Sequence, residues 1–257
     1  MKGNTMATIS VIILARNEEH NIYDCIKTVQ FADEVLIIDD FSTDKTAIIA
    51  KELGARIIQH PLNGDWAQQR RFGVSQTKCD WVLFLDADER ISNELSEEIQ
   101  EVIANNSKIS YWIQRSNKFH YNHATHGVLR PDYVLRLMPK DGITIEGAVH
   151  ESIASSYPSK KLKNIMYHYT YDNWQQYFNK FNNYTRLAAE KYRDNGKSCS
   201  FVKDIILRPI WAFIKVYFID RGFLDGKLGF ILSVNHYFYT MTKYVRLYYL
   251  LKSNGKL

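Results

Sequence analysis

The chain of 257 residues is 46% hydrophobic and 24% charged, with only 12 glycines and 5 prolines. This composition is typical of a globular protein and excludes a disordered, collagen-like or mucin-like chain. The formal net charge is +5, but the last 61 residues alone hold ten Lys or Arg and three Asp or Glu, a net charge of +7. The remainder is therefore close to neutral, which argues against a uniformly basic nucleic-acid-binding protein, and we expect no nucleic-acid partner.

In the N-terminal part of the chain, apolar runs alternate with segments of helical periodicity. The predicted strands are the apolar runs at 8–14, 34–39, 55–59 and 81–85. The predicted helices begin near Asn17, Ser42, residue 65 and Ser92, with Asn17 as the expected N-cap of the first. Parallel strands need crossover connections, so this β-α alternation predicts an α/β fold with a mainly parallel central sheet and flanking helices.

The second half of the chain has a different pattern. Short β-like segments at 109–114 and 133–138 are separated by polar loops, which predicts mixed α and β structure. Beyond Asn173 the periodicity becomes helical, with candidate helices at roughly 201–219 and 227–252. We therefore expect a helical C-terminal extension after the α/β part.

The final segment, 197–257, holds 13 of the 35 aromatic residues as well as the excess positive charge. On a helix through 201–219, Arg208 and Lys215 share a face, while apolar side chains cover most of the rest. Such a helix is either buried, against the rest of the chain or in a homodimer, or it lies in a membrane interface. The +7 charge would favour contact with an anionic membrane surface.

Neither membrane insertion nor export is predicted. There is no run of about 18 uncharged apolar residues, and the apolar run at 9–14 is too short for the core of a signal peptide. Cys25, Cys79 and Cys199 lie far apart with no C-x-x-C pair, so neither a disulfide framework nor a zinc knuckle is indicated. We expect a reducing, cytoplasmic setting.

Two carboxylates on alternate residues, Asp86 and Asp88, directly follow the predicted strand at 81–85. In open α/β sheets, ligands bind beyond the carboxyl ends of the strands. A carboxylate pair at that position can hold Mg²⁺ or Mn²⁺, whose remaining coordination positions take diphosphate oxygens. The alternative is that these are loop acids, or an acidic cap for the helix that follows Ser92.

A second pair of acids, Asp39 and Asp40, follows the strand at 34–39. A carboxylate at this edge can accept a hydrogen bond from the N3–H group of uracil or from a ribose hydroxyl. Turn formation and capping of the next helix explain the same pattern equally well.

Three motifs, in this order and spacing, resemble family 2 inverting glycosyltransferases of the GT-A fold. They are SVIILARNEE at 10–19, IIDDFSTDKT at 37–46 and WVLFLDADE at 81–89. Within that family the chain most resembles the lipopolysaccharide core β-1,4-glucosyltransferases, which add glucose to inner-core heptose. The further matching segments are WAQQR at 66–70, GAVHE at 147–151, HYTY at 168–171 and RGFLDG at 221–226.

The resemblance implies a GT-A, Rossmann-like catalytic domain over 1–196, followed by the basic, aromatic extension over 197–257. Its nucleotide-sugar half would be about 1–107 and its acceptor half about 108–196. The residues that would bind the nucleotide sugar are Ala15, Arg16, Asn17, Glu18, Asp39, Asp40, Arg70, Asp86, Ala87 and Asp88. Among them Asp40 would contact uracil, and the loop at 16–18 would shape the nucleoside pocket.

The resemblance also implies a metal site and a base. Asp86, Asp88 and His168 would hold Mg²⁺ or Mn²⁺, and Glu151 would activate the acceptor hydroxyl. A lone histidine is more often structural than a ligand, and an ion pair with His150 is the simpler account of Glu151. Phe41 stands where many relatives have glycine, which would narrow the nucleotide pocket.

The sequence thus predicts a metal-dependent, inverting hexosyltransferase that uses a UDP-sugar, expected to be UDP-glucose, and a lipid-linked glycan acceptor of the lipopolysaccharide core. The expected place is the cytoplasm, with peripheral contact on the cytoplasmic face of the inner membrane. One alternative is transfer to another surface glycan, a polyprenyl phosphate or a peptide thiol. The other is a non-catalytic nucleotide- or glycan-binding module of the same fold.

Overall fold

A computed structural model describes residues 7–105, 107–119, 122–147 and 152–253. The strands are β1 Ile9–Ala15, β2 Glu34–Asp39, β3 Arg56–Gln59, β4 Trp81–Asp86, β5 Glu89–Ile91, β6 Ser110–Phe119, β7 Asn122–His123, β8 Asp132–Pro139, β9 Ile143–Glu146, β10 Ser152–Ser155 and β11 Ser159–Tyr171. The helices are α1 Ile22–Lys27, α2 Thr46–Glu52, α3 Trp66–Gln76, α4 Asn93–Ala104, α5 Trp174–Asp194, α6 Arg208–Ile214 and α7 Gly226–Lys252. Short 3₁₀ turns lie at Gly127–Leu129, Lys140–Gly142 and Gly222–Asp225, and π-helical turns at Phe201–Leu207 and Lys215–Ile219 flank α6.

The main sheet has both parallel and antiparallel parts. Within the described residues its strand order is β3-β2-β1-β4-β8-β6-β11-β5, with β7 paired to β6, and β9 and β10 form a separate hairpin. Strands β1 to β4 pair in parallel, whereas β8 joins β4 in the antiparallel sense. The predicted α/β fold is confirmed, and its parallel half coincides with the segment where strands and helices alternate in the sequence.

Clustering of contacts divides the chain into two compact units. The first unit comprises residues 1–115 and 132–168, and the second comprises 116–131 and 169–257. These boundaries differ from the expected junction at residue 196, because α5 packs with α7 in the second unit. The division into catalytic domain and extension is a functional prediction, which this packing does not test.

The core of the first unit follows the two-residue period of β1. Val11 and Ile13 pack on one face of the sheet with residues of α1 and α4, while Ile12 and Leu14 pack on the other face with α3. All seven residues of β1 are buried, since the strand is central and covered on both sides.

Helix termini in the first unit are determined by local chemistry. Ser92 caps α4 by accepting a hydrogen bond from the backbone N–H of Leu95, as the sequence predicts. The expected N-cap at Asn17 is wrong: α1 begins at Ile22, after Asn21, and Asn17 adopts a left-handed backbone conformation with φ of 54°. Asparagine tolerates this conformation better than most residues, so Asn17 forms a loop instead of starting a helix.

The second unit is built from helices. Tyr244, Leu247 and Leu250 of α7 pack with Ala189 of α5 and Ile205 of the first π-helical turn. Close packing elsewhere relies on glycine, since a Cβ atom on Gly229 would collide with the carbonyl oxygen of Gly222. In the residues that the structure describes, no helix is both long and apolar enough to cross a lipid bilayer.

Candidate active site

Parallel pairing brings the two predicted acid pairs to one edge of the sheet. In the register of β1, Ala15 lies opposite Asp39 of β2, and Leu14 lies opposite Asp86 of β4. Both carboxylate-bearing strands therefore flank β1 at its carboxyl end, which is where an open α/β sheet binds its ligands.

The loop after β1 is joined to the loop after β2 by reciprocal hydrogen bonds. The backbone N–H of Asn17 donates to Ser42 Oγ at 2.9 Å, and Asn17 Oδ1 accepts from the N–H of Thr43 at 2.8 Å. The N–H of Glu18 donates to Thr46 Oγ1 at 2.7 Å. These hydrogen bonds pair polar groups of the two loops with one another, so the loop after β1 has a defined shape at the sheet edge.

Asp39 and Asp40 have different environments. Asp39 is fully buried, and its carboxylate accepts the backbone N–H of Ser42 at 3.2 Å, which shapes the turn. Asp40 lies at the surface edge, where it accepts from Arg16 Nη1 at 2.7 Å and from the N–H of Leu62 at 2.9 Å. Asp39 thus shapes the turn, whereas the Asp40 carboxylate is partly exposed and links the loop after β1 to the segment that follows β3.

Phe41 adjoins this carboxylate pair in a left-handed conformation, with φ of 50°. Apart from asparagine, aspartate and histidine, residues with a side chain rarely adopt it. The side chain is 53% exposed, so burial of the ring does little to compensate for the backbone cost. Glycine would occupy this position without strain.

Asp86 is held by two arginines. Its Oδ1 accepts from Arg70 Nη2 at 2.8 Å, and its Oδ2 accepts from Arg136 Nη2 at 2.5 Å. Arg136 also donates to the buried Glu89 at 2.9 Å, and Arg115 approaches the same Glu89 oxygen at 3.4 Å. The result is a cluster in which buried charges of opposite sign satisfy one another.

The cluster shifts the pKa values of its two acids in opposite directions. Burial alone would raise the pKa of Asp86, but the guanidinium groups of Arg136 and Arg70 outweigh it and hold that pKa far below its ordinary value. Burial raises the pKa of Glu89; Arg136 opposes the rise and the neighbouring Asp86 carboxylate adds to it. Asp86 is therefore ionised throughout the physiological range, and its orientation is set by both arginines.

Asp88 and His168 meet beside this cluster. His168 Nε2 lies 3.4 Å from Asp88 Oδ2, and both side chains are only partly exposed. The pairing of β11 with β5 places His168 opposite Glu89, one residue beyond Asp88. Among the residues described, no group of three or more His, Cys, Asp or Glu side chains is close enough to hold a metal. The predicted metal ligands thus separate into an adjacent pair, Asp88 and His168, and an Asp86 that is bound by arginines.

The other predicted residues line the same edge through their backbone or their packing. The carbonyl of Ala15 accepts the N–H of Asp40 at 2.9 Å, and that of Ala87 accepts from Arg90 Nη1 at 2.7 Å. Arg70 is 3% exposed, so it fixes Asp86 from within the protein. Glu151, the predicted base, lies outside the described residues, as does His150.

Sequence reasoning missed Arg136, Arg115 and the buried Glu89. Arg136 interrupts an apolar run, with Leu135 and Leu137 buried on either side. A lone charge within such a run of β8 is the signal that could have revealed it, because an ion buried in a strand needs a partner. The partner itself is supplied by the antiparallel pairing of β8 with β4, which the sequence does not display.

The chain belongs to glycosyl transferase family 2, whose family model matches residues 10–218. It is 33% identical over 243 residues to an uncharacterized glycosyltransferase of Rickettsia typhi, covering 89% of this chain and 82% of that one. It is also similar to the lipopolysaccharide core biosynthesis glycosyltransferase LpsC of Rhizobium meliloti, with 28% identity and coverage of 93% and 92%. The predicted family and transferase activity are confirmed.

Among solved structures, the chain is similar to glucosyl-3-phosphoglycerate synthase from Mycobacterium tuberculosis in complex with Mn²⁺, UDP-glucose and glycerol 3-phosphate. The TM-score is 0.39 at 21% identity, over 52% of this chain and 57% of that one.

Proposed function

We propose that this glycosyltransferase is metal-dependent and inverting, and that it moves glucose from UDP-glucose to an inner-core sugar of lipopolysaccharide. The observation that carries the proposal is the pair Asp88 and His168, 3.4 Å apart at the sheet edge where Asp86 is held by two arginines. Similarity to a lipopolysaccharide core glycosyltransferase over nearly the whole chain supports the class of acceptor.

The residues present fit a divalent cation. A carboxylate and an imidazole suit Mn²⁺ and, through the carboxylate, Mg²⁺; two protein ligands leave coordination positions for diphosphate oxygens. Asp88 and His168 would hold the ion, with Asp86 beside them. When bound, such an ion neutralises charge on the departing diphosphate.

The protein's own groups then bind and orient the substrates. Asp40, held by Arg16, would receive the uracil or ribose, and Arg70 and Arg136 keep the Asp86 carboxylate fixed. Glu151 would take the proton from the acceptor hydroxyl as its oxygen bonds to the anomeric carbon. The bond from that carbon to the diphosphate breaks on the opposite face, so an α-linked donor yields a β-glycoside and UDP.

Release of UDP from UDP-glucose tests this proposal. With a truncated core acceptor and Mn²⁺ or Mg²⁺, we expect Asp88→Ala and Glu151→Gln to lower the rate by about 10²-fold or more, and EDTA to do the same. Matched controls are the exposed Asp24→Ala on α1 and Glu97→Gln on α4, which should retain the wild-type rate.

Three results would contradict parts of the proposal. Wild-type rates in both site variants would show that neither Asp88 nor Glu151 takes part in the reaction. Turnover of another sugar nucleotide but not UDP-glucose, in a donor screen by mass spectrometry, would change the donor. Binding of UDP without turnover on any core acceptor would favour a non-catalytic module.

We further propose that the second unit associates with the anionic cytoplasmic face of the inner membrane, where a lipid-linked acceptor would be found. The segment from Phe201 to Ile219 has two faces. Arg208 and Lys215 lie on one of them, and the other presents a row of exposed apolar side chains. These are Leu207, Ile210, Ile214 and Phe218, each at least 37% exposed. Exposed apolar side chains beside an excess of basic residues are typical of interfacial helices.

Flotation with vesicles tests this association. We expect the protein to float with vesicles of phosphatidylcholine and phosphatidylglycerol at low salt, and Ile210→Asn with Ile214→Asn to reduce the bound fraction several-fold. The control is Ile48→Asn, an apolar residue of the first unit that is more exposed than either of these two. A double variant that floats like wild type would show that this face does not bind the membrane. If wild type does not float and the variant turns a dimer into a monomer, the face is instead a contact between two copies of the chain.

A further inference from the structure

The second unit contains a basic cavity of about 480 Å³. Five of its lining residues are lysines or arginines, against a single carboxylate, Asp220. The basic residues are Arg130, Lys197, Arg208, Lys215 and Lys243. All of them belong to the second unit, whereas every predicted donor-binding residue belongs to the first.

The charges in this cavity are only partly compensated. Asp220 is shared by Arg130, at 3.3 Å, and Lys215, at 3.1 Å. Within the part of the chain that the structure describes, neither Lys197 nor Lys243 has a carboxylate within 4.0 Å. Two lysines are thus held in one cavity without an adjacent carboxylate.

Tyrosine rings hold these lysines close together. Lys197 Nζ lies 3.8 Å from the centre of the Tyr192 ring, and Lys243 Nζ lies 5.5 Å from the centre of the Tyr244 ring. Arg208 also lies over Tyr244, at 5.5 Å. Cation–π contacts offset part of the mutual repulsion, and they orient three cationic groups around two rings.

Like charges gathered in this way favour an anion. Burial lowers the pKa of Lys243, and the charges of Lys197 and Arg208 lower it further, so the folded protein carries an electrostatic cost that a bound anion would remove. Guanidinium and ammonium groups together are the donors with which proteins bind phosphate. The hydroxyl of Tyr244, which interacts with Lys197 Nζ at 3.1 Å, adds a neutral polar group.

We propose that this cavity is a binding site for a phosphate-bearing group, separate from the site for the sugar nucleotide. A phosphomonoester or diphosphate fits the charge, since neither Lys197 nor Lys243 has an adjacent carboxylate among the described residues. Arg208 donates its Nε to Asp204, and its two Nη groups are the donors that remain for a phosphate. The volume admits a group considerably larger than one phosphate, so the phosphate would be part of a larger molecule.

Calorimetry with inorganic pyrophosphate, in EDTA and at constant ionic strength, tests the site in the full chain. EDTA suppresses metal-dependent binding at the carboxylate pair of the first unit. We expect Lys243→Gln and Lys197→Gln each to weaken pyrophosphate binding about tenfold, the loss typical of one charge-assisted contact. The matched control is Lys227→Gln, an exposed lysine of α7 outside the cavity, which should bind as wild type does.

Thermal unfolding separates lost binding from lost folding. Because Lys243 is repelled by its neighbours, Lys243→Gln should unfold at the wild-type temperature or higher without phosphate, and should lose the stabilisation that pyrophosphate gives the wild type. Equal pyrophosphate binding by Lys243→Gln and Lys227→Gln, or no binding by wild type, would overturn the proposal.

A second pair of measurements identifies the source of the phosphate. Vesicles of phosphatidylcholine alone are compared with equimolar phosphatidylcholine and phosphatidic acid, whose headgroup is a phosphomonoester. If Lys243→Gln weakens both pyrophosphate binding and flotation on phosphatidic acid, the site takes a lipid headgroup. If it weakens only pyrophosphate binding, the site takes a soluble or glycan-borne phosphate. A loss of flotation with unchanged pyrophosphate binding would contradict a phosphate site.

Discussion

The two units differ in how their clustered charges are balanced. In the first unit, Asp86 and Glu89 are matched by arginines at hydrogen-bonding distance. In the second unit, Lys197 and Lys243 share a cavity without an adjacent carboxylate among the described residues. A matched cluster positions side chains for chemistry, whereas an unmatched one stores repulsion that a ligand can relieve. The comparison teaches that the balance of charge, rather than its amount, distinguishes a cluster whose groups bind one another from one that favours an added ion.

Removal of one member of the matched cluster should have the largest effect. Arg136→Gln leaves Asp86 with one arginine, and it leaves Glu89 with the backbone N–H of Asp86 and an Arg115 that approaches only to 3.4 Å. We therefore expect a loss of about 3–5 kcal/mol in the free energy of unfolding. UDP release should fall as well, because Asp86 loses its orientation. Denaturant unfolding and the UDP assay measure the two effects.

The control for this change is Arg186→Gln on α5, whose partner Glu190 is one helical turn away at the surface. An exposed pair of this kind contributes no more than about 0.5 kcal/mol to the free energy of unfolding. If both variants lost the same stability, the cluster around Asp86 would be no more important than a surface ion pair, and the contrast between the units would fail.

The unmatched cavity should be visible in the pH dependence of stability. Burial and the charges of Lys243, Lys215 and Arg130 lower the pKa of His236 to about 4, against a small opposing effect of Asp220. Between the unfolded pKa near 6.5 and about 4, the unfolded state binds more protons, so stability rises with pH and is lost as the pH falls. We expect a loss of about 2 kcal/mol on acidification from pH 7 to pH 5.

His236→Gln should remove that part of the pH dependence, while His20→Gln, an exposed histidine in the first unit, should leave it intact. Urea unfolding at a series of pH values measures the slope. Pyrophosphate should reduce the slope in the wild type if it offsets the charges that surround His236. A pH profile that is identical in both variants would show that the cavity does not affect the histidine.

Much of the first unit is predictable because its determinants are local. A buried apolar run followed by acids fixes β4 and places Asp86 and Asp88 at the end of the strand. The cap at Ser92 and the positive φ of Gly54 after α2 likewise follow from residues that are adjacent in the chain. Such features depend on sequence neighbours, so a single sequence displays them.

The rest depends on pairing between distant segments. Arg136 reaches Asp86 because β8 pairs with β4, and His168 reaches Asp88 because β11 pairs with β5. Arg136 and Asp86 are 50 residues apart, and neither strand by itself determines the register in which the two strands pair. His168 was expected only from the family resemblance. The sequence showed the lysines of the cavity only as part of the excess positive charge of the last 61 residues. Which of them lie close together depends on how α5 and α7 pack.

The smallest expected effect compares two strained residues, one in each unit. Phe41 and Arg221 both adopt left-handed backbone conformations, with φ of 50° and 57°. Replacing either by glycine removes steric strain but adds entropy to the unfolded chain, so stability should change by no more than about 1 kcal/mol. Only Phe41 adjoins Asp40, and therefore only Phe41→Gly should alter the KM for the sugar nucleotide, downward if the ring narrows the pocket. A KM that rises instead would mean that the ring contacts the nucleotide, and equal shifts in both variants would place the effect in the backbone rather than at the site.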